Sequence, residues 1–91
     1  MKADLLQKSR VKLSDNRFAD IAIWRVPVSV PGSPHPFKYR LALIVDGICV
    51  MRYDNESGKG DHKHLGEREV PYCFTTPDQL VDDFWADVAQ L

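Results

Sequence analysis

The sequence predicts an α+β fold in which an antiparallel meander of about four strands is covered on one face by a C-terminal amphipathic helix. Three observations support this fold class. Apolar and polar residues alternate along much of residues 5–53, as they do in half-buried strands. An Asp-Gly pair joins two of these alternating runs. After residue 76 the apolar spacing changes to the period of a helix.

Four segments have the alternation typical of strands. Residues 5–13, for which a strand is favoured over a helix, and residues 17–28 form the first two, and residues 37–45 alternate most regularly. The Asp-Gly pair then leads into residues 48–53, which predicts a hairpin closed by a type I′ turn. In this arrangement the sheet face away from the helix carries five basic side chains: Lys8, Arg10, Lys12, Lys38 and Arg40.

Two polar stretches interrupt this pattern. Four of the seven residues 30–36 are Pro or Gly, which predicts a loop with His35 exposed at its turn. Residues 54–69 contain a single apolar residue, Leu65, and predict a long polar loop. Loops of this length in small domains are usually functional or disordered. One further short strand is predicted within residues 70–74.

The final segment, residues 76–90, predicts the helix that closes the fold. Thr76 is a capping residue, Pro77 suits the first helical position, and Gln79 completes a capping box. One stripe is apolar and is expected to cover the sheet: Leu80, Val81, Phe84, Trp85, Val88 and Leu91. The acidic side chains face outwards, as a solvated face or as a docking surface for a basic partner: Asp78, Asp82, Asp83 and Asp87.

Composition limits the class of protein. Ninety-one residues predict one domain, residues 1–91, and 44% hydrophobic with 27% charged residues excludes a wholly disordered chain. The absence of a long apolar run or a secretory signal predicts a cytoplasmic protein that does not enter a membrane. Cys49 and Cys73 are predicted to be reduced thiols in the core. Residues 1–40 carry a net charge of +5 and residues 41–91 a net charge of −6.

The residues that suggest chemistry are concentrated in the predicted polar loop. Gly58 and Gly60 would let backbone N–H groups point at an anion, next to basic side chains that could bind phosphate. His62 and His64 could instead share acid and base roles, because imidazole titrates near neutral pH. The same pair projects to one side of an extended chain and could hold a metal, completed by one of three carboxylates: Asp54, Glu56 or Asp61. A flexible charged hairpin tip is the remaining interpretation.

Residues 53–64 resemble the signature of the TumE-like toxin family of bacterial toxin–antitoxin systems. The similarity extends to residues 23–27, 39–41, 68–72 and 84–88, and so covers most of residues 20–90. Two positions of the signature are mild departures, since a basic residue such as Arg is expected at one or both of them: Ser57 and Lys63.

This resemblance implies a cytoplasmic bacterial toxin that slows growth until an antitoxin, expected to carry a helix-turn-helix domain, neutralises it. By analogy with other small toxins it implies action on RNA or the translation machinery, with metal-independent RNA cleavage as the hypothesis. The predicted catalytic residues are His62, His64 and Asp61. The predicted phosphate-binding or RNA-binding residues are Lys59, Lys63, Arg68, Gly58, Gly60 and Arg40. No cofactor or metal is predicted. The alternative is a non-enzymatic module that binds a protein or nucleic acid, for example through the acidic helix face or a free sheet edge.

Overall fold

A computed structural model describes residues 2–91, which form one six-stranded antiparallel sheet and one helix. The strands follow one another in chain order: β1 (Asp4–Ser14), β2 (Arg17–Arg25), β3 (Phe37–Val45), β4 (Ile48–Glu56), β5 (Gly60–Leu65) and β6 (Arg68–Pro71). Helix α1 spans Pro77–Val88. The α+β class, the meander and the C-terminal position of the helix are confirmed. The prediction of about four strands is wrong, because the sheet has six.

The two additional strands lie where a polar loop was predicted. Strand β4 continues to Glu56, and residues 60–71 add two further strands. Gly58 and Gly60 have φ angles of 83° and 75° in the β4–β5 turn, a backbone region that side chains disfavour. The pattern could not show β5 or the end of β4 because they bury polar rather than apolar side chains, among them Asn55 and His62. The end of β6 overlaps the short strand predicted within residues 70–74. Alternating hydrophobicity, the usual signal of a strand, is therefore missing.

The core lies between one face of the sheet and α1. The sheet contributes buried side chains from its central strands: Ala19, Ile21, Ile23, Tyr39, Leu41, Leu43, Met51 and Tyr53. The helix contributes Leu80, Phe84 and Val88, and burial of a side chain such as Phe84 stabilises the fold by about 2–3 kcal/mol. Thr76 is the N-cap as predicted, since its Oγ1 accepts a hydrogen bond from the Gln79 N–H, but the Gln79 side chain donates to Asp83 and does not complete the predicted capping box. The predicted stripe ends before Leu91, which is exposed.

The opposite face of the sheet, here called the open face, is not covered by α1. The register places Lys8, Ala22 and Arg40 side by side on neighbouring strands, and Arg10 and Lys12 alternate with them along β1. Lys38 lies beside Trp24 on the same face. The prediction that five basic residues share the face away from the helix is therefore confirmed.

Three smaller predictions need correction. Cys49 and Cys73 are exposed rather than buried, because Cys49 follows the turn that starts β4 and Cys73 lies in the segment between β6 and α1. His35 is largely buried, with 12% of its side chain exposed. The acidic side of α1 is only partly solvated. Asp83 accepts a hydrogen bond from Tyr72, and Asp87 accepts hydrogen bonds from Tyr53 and Lys63.

Within residues 2–91, no helix combines the length and the apolar character that crossing a membrane requires.

The three tyrosines of the chain all donate hydrogen bonds to carboxylates. The hydroxyl of Tyr39 donates to Asp61 at 2.6 Å and that of Tyr72 to Asp83 at 2.6 Å, while Tyr53 donates to Asp87. Burial is the main cause that raises the pKa of each tyrosine, and the neighbouring carboxylate raises it further.

We expect the tyrosines to stay protonated in the folded protein above pH about 10, where tyrosine ionises in an unfolded chain. Because their folded pKa values are raised, the stabilisation is complete below pH about 10 and is lost as the pH rises further. The tyrosinate absorbance should therefore stay low at pH about 11, where a solvated tyrosine is roughly 90% ionised. It should then rise in one step together with unfolding. In guanidinium, where the chain is unfolded, the same titration should be centred at pH about 10. A rise in tyrosinate absorbance at that pH in the folded protein would contradict the expectation.

Candidate active site on the open face

Strand β5 separates the sequence-predicted site residues onto two faces. Successive side chains of a strand point to opposite sides. His62 pairs with Asp54 and His64 with Arg52, all on the open face. Lys63 pairs with Tyr53, which belongs to the core on the helix side. The structure therefore brings His62 and His64 together, as the spacing predicted, and separates them from Asp61 and Lys63.

Asp54, His62 and His64 form a compact cluster on the open face. His62 Nε2 lies 2.7 Å and His64 Nε2 lies 3.9 Å from the same oxygen, Asp54 Oδ1. The two imidazole rings are 4.8 Å apart and nearly perpendicular. His62 is 3% exposed and Asp54 8% exposed, so the cluster is shielded from bulk solvent.

Two charged side chains surround this cluster. Arg52 Nε lies 2.9 Å from Asp54 Oδ2, the carboxylate oxygen that faces away from the histidines. Glu69 on β6 lies 3.9 Å from both rings, through Oε1 to His62 Nε2 and through Oε2 to His64 Nδ1. Low exposure strengthens such charge interactions because water screens them less. Arg52 thus holds Asp54, and Glu69 closes the outer side of the histidine pair.

The backbone sets the orientation of the His62 ring. His62 Nδ1 lies 3.0 Å from the Gly60 carbonyl oxygen, which can only accept a hydrogen bond. This contact places a proton on Nδ1, and in the neutral ring Nε2 then carries the lone pair. The lone pair lies on the side of the ring that faces Asp54 and His64. His62 Nε2 is therefore the ring nitrogen that lies at the centre of the cluster.

A basic groove lies beside the cluster on the open face. It encloses about 530 Å³ and runs over Ala22. Its polar and aromatic walls are Lys8, Arg10, Asp20, Trp24, Lys38 and Arg40. Asp20 binds Arg10 through two hydrogen bonds of 2.8 and 3.0 Å, and these contacts raise the pKa of Arg10. Among residues 2–91 no carboxylate lies within ion-pair distance of Lys8, Lys38 or Arg40. Arg40 is also the cross-strand neighbour of Asp54, which joins the groove to the cluster.

Asp61, predicted to orient a catalytic histidine, lies in a separate network. It accepts hydrogen bonds from Tyr39 at 2.6 Å, from Ser33 at 3.3 Å and from His35 Nε2 at 2.8 Å. His35 Nδ1 meanwhile accepts from the Phe37 N–H, so both ring nitrogens are used. This network attaches the 26–36 loop to the end of the sheet. On the open face, Asp54 occupies the place beside the histidines that was predicted for Asp61.

The predicted phosphate-binding residues are also divided. Lys63 lies 3.0 Å from Asp87 on the helix side, and Arg68 pairs with Leu65, which packs against the core. Lys59 remains near the cluster, with its ammonium 4.0 Å from Glu69. Arg40 lies on the groove wall, as described above.

The two glycines of the β4–β5 turn have a structural role instead of forming an open anion cradle. The Gly58 N–H already donates to the Pro31 carbonyl at 2.7 Å. A Cβ on Gly60 would lie 2.8 Å from the Gly32 carbonyl oxygen. Both contacts fasten the turn to the 26–36 loop, so the prediction of a phosphate-binding glycine loop does not fit this geometry.

Sequence reasoning missed three contributors to the site. Arg52 and Glu69 were not singled out, and Trp24 was treated only as a strand residue. Asp54 was considered only as a candidate metal ligand. The signal that could have found Asp54 is the turn at residues 57–59: once these residues close a hairpin, Asp54 lies opposite His62.

Comparison with known proteins gives one match. A family model described as "Toxin TumE" matches residues 2–91. No curated protein and no solved structure matches the chain significantly.

Proposed function

The chain belongs to the TumE toxin family, and on that premise we propose that it binds RNA on the open face and cleaves it at the Asp54–His62–His64 cluster. Membership implies a toxin of a toxin–antitoxin system, and therefore an antitoxin partner. RNA as the target, cleavage as the activity, a helix-turn-helix antitoxin and a cytoplasmic location are parts of the proposal. So is the description of residues 1–91 as one domain.

The observation that supports this proposal best is the position of the cluster beside the basic groove. Among residues 2–91, Lys8, Lys38 and Arg40 carry positive charge with no carboxylate within ion-pair distance, which suits binding to a phosphate backbone. Trp24 offers a ring on which a base could stack. Arg40 adjoins Asp54, so a phosphate held by Arg40 would lie next to the imidazoles. Binding and reacting groups thus share one continuous surface.

The cluster contains the groups that cleavage by an internal nucleophile needs. A base removes the proton of the ribose 2′-hydroxyl, the 2′-oxygen bonds to phosphorus, and the bond from phosphorus to the 5′-oxygen breaks. An acid gives a proton to the departing 5′-oxygen, which leaves a 2′,3′-cyclic phosphate and a 5′-hydroxyl. In the metal-independent form of the proposal, His62 and His64 supply these two roles, and Asp54 stabilises an imidazolium. Arg40 balances the negative charge that develops on phosphorus.

Purified, untagged protein should cleave single-stranded RNA if the proposal is correct. We would incubate it with end-labelled RNA and with the same strand carrying 2′-deoxyribose throughout. Cleavage of the ribose strand only, with cyclic phosphate ends, is the expected result. Cleavage of neither strand by folded protein that arrests growth on induction would exclude direct action on RNA. Cleavage of both strands would exclude the 2′-hydroxyl as nucleophile.

A non-enzymatic interaction module is the second candidate function, and the edge of the sheet favours it. Strand β1 is an edge strand of eleven residues. It exposes four large apolar side chains: Leu5, Leu6, Val11 and Leu13. Exposed edges of this kind accept a strand from a partner. If β1 is the functional surface, replacing its exposed apolar side chains by charged ones should prevent growth arrest. Substitutions of His62 and His64 should then leave growth arrest intact.

A further inference from the structure

We propose that Asp54, His62 and His64 form a binding site for a divalent transition-metal ion such as Zn²⁺. This inference concerns the same cluster as the proposed function, but it does not require the substrate to be RNA. It rests on the spacing of three ligand atoms, on their burial without hydrogen-bond partners and on the groups behind each ligand.

The three ligand atoms lie close enough together to bind one ion, and the position between them is here called the common point. Asp54 Oδ1, His62 Nε2 and His64 Nε2 all lie within 4.8 Å of one another. Ligands bound at about 2.0–2.2 Å in a tetrahedron lie roughly 3.3 Å apart. The observed separations of 2.7 Å and 3.9 Å from Asp54 Oδ1 lie on either side of that value. The three atoms spread over as much as 4.8 Å, so the two rings would have to turn toward each other to complete the coordination.

The same three atoms are buried without hydrogen-bond partners among residues 2–91. Asp54 Oδ1 and His62 Nε2 are close enough for a hydrogen bond, but their orientation does not meet its geometry. Buried polar atoms without partners are costly, and each such atom needs an explanation. A cation at the common point would satisfy all three at once.

Each ligand is also supported from behind, as metal ligands usually are. The Gly60 carbonyl fixes the proton of His62 on Nδ1 and so leaves Nε2 as the ligand atom. Arg52 Nε lies at ion-pair distance, 2.9 Å, from the other oxygen of Asp54, although its orientation does not meet hydrogen-bond geometry. Glu69 faces Nδ1 of His64 at 3.9 Å. Two histidines two positions apart on a strand and one carboxylate thus form a prepared donor set.

Three protein ligands suit a catalytic rather than a purely structural ion. Structural zinc sites usually have four protein ligands, whereas catalytic sites keep a position for water or substrate. Glu69 is half-exposed and lies 3.9 Å from His62 Nε2. It could therefore accept a proton from water bound to the ion, or serve as a fourth ligand. A bound ion would make the imidazoles ligands and would leave acid–base work to its water. It would also place a positive charge beside Arg40.

The test uses the untagged full chain, freed of metal by a chelator and then titrated with Zn²⁺ by calorimetry. We expect one ion per chain. Co²⁺ used as a second probe should give the intense visible absorption of a tetrahedral nitrogen–oxygen site. His64→Ala should weaken Zn²⁺ binding by at least about 100-fold, as loss of one of three ligands implies. His64 suits this variant because its side chain is 22% exposed, so its loss leaves the core intact.

His35→Gln is the matched control, because His35 is the remaining histidine and lies in the separate Asp61 network. It should bind Zn²⁺ as the wild type does. Zn²⁺ should also raise Tm for the wild type and for His35→Gln, but not for His64→Ala. Equal binding by wild type and His64→Ala would overturn the proposal, as would no binding by folded wild-type protein. Zn²⁺ binding without RNA cleavage would contradict the proposed function and leave this site established.

Discussion

Replacing His64 by Ala is expected to slow RNA cleavage by at least about 100-fold, the usual contribution of a positioned acid or base, and to prevent growth arrest. The effect is the same whether His64 transfers a proton or binds an ion, because either role uses its Nε2. The ring is partly exposed and lies on the open face, outside the core, so little stability should be lost. The measurement is the single-turnover rate on end-labelled RNA, with circular dichroism to confirm folding.

His62 needs a gentler substitution because its ring is buried. His62→Asn keeps an N–H that can donate to the Gly60 carbonyl, as Nδ1 does now, and removes Nε2. We expect a loss of rate similar to that of His64→Ala with the fold retained. Agreement between the two variants would indicate that both nitrogens act in one unit, and their double mutant should then lose no more than either single variant.

Lys63→Gln is the control that distinguishes the site proposed from the structure from the site predicted from the sequence, which included Lys63. Lys63 lies between the two histidines in the chain but on the helix side, where it binds Asp87. This variant should be somewhat less stable yet retain cleavage and growth arrest. Loss of activity in folded Lys63→Gln together with normal activity in His64→Ala would contradict the assignment of the site to the open face.

The sequence predicted those parts of the fold that rest on hydrophobic periodicity. The hairpin around the Asp-Gly pair, the capped helix and the basic face all follow from alternation and spacing, and the structure confirms them. Strand β5 was not predicted because it buries polar side chains, whereas the end of β6 overlaps the short strand predicted within residues 70–74. Asp61 and Lys63 satisfy their charges with Tyr39 and Asp87, partners that are 22 and 24 residues away. A local pattern cannot show such long-range pairing.

The proposed site shares His62, His64 and Arg40 with the set of residues predicted from the sequence. The spacing of His62 and His64 correctly indicated a shared side, because that conclusion requires only an extended chain. Assigning Asp61 and Lys63 to the same site assumed a flexible loop in which neighbours in sequence converge. In a strand, adjacent residues diverge, and the functional neighbours come from the paired strands. Cross-strand pairing places Asp54 opposite His62 and Glu69 opposite His64.

The second large effect is expected from the basic groove. The triple variant Lys8→Gln, Lys38→Gln and Arg40→Gln should bind single-stranded RNA roughly 100-fold more weakly at about 0.1 M salt. Each phosphate contact contributes a slope of about −0.7 to the dependence of log affinity on log salt, so three contacts contribute about −2. The three side chains are solvent-facing and carry no ion pair among the described residues, so stability should change little. Binding is measured by fluorescence anisotropy across a salt series.

A second triple variant has the same change in net charge on the other side of the sheet. Arg25→Gln, Lys63→Gln and Arg68→Gln remove three cations from the helix side. If RNA lies along the open face, this variant keeps both the affinity and the salt slope of the wild type. An equal loss in the two variants would mean that only overall charge attracts RNA. The groove would then have no directing role, and the cluster would lack the neighbouring surface that makes it a candidate for RNA cleavage.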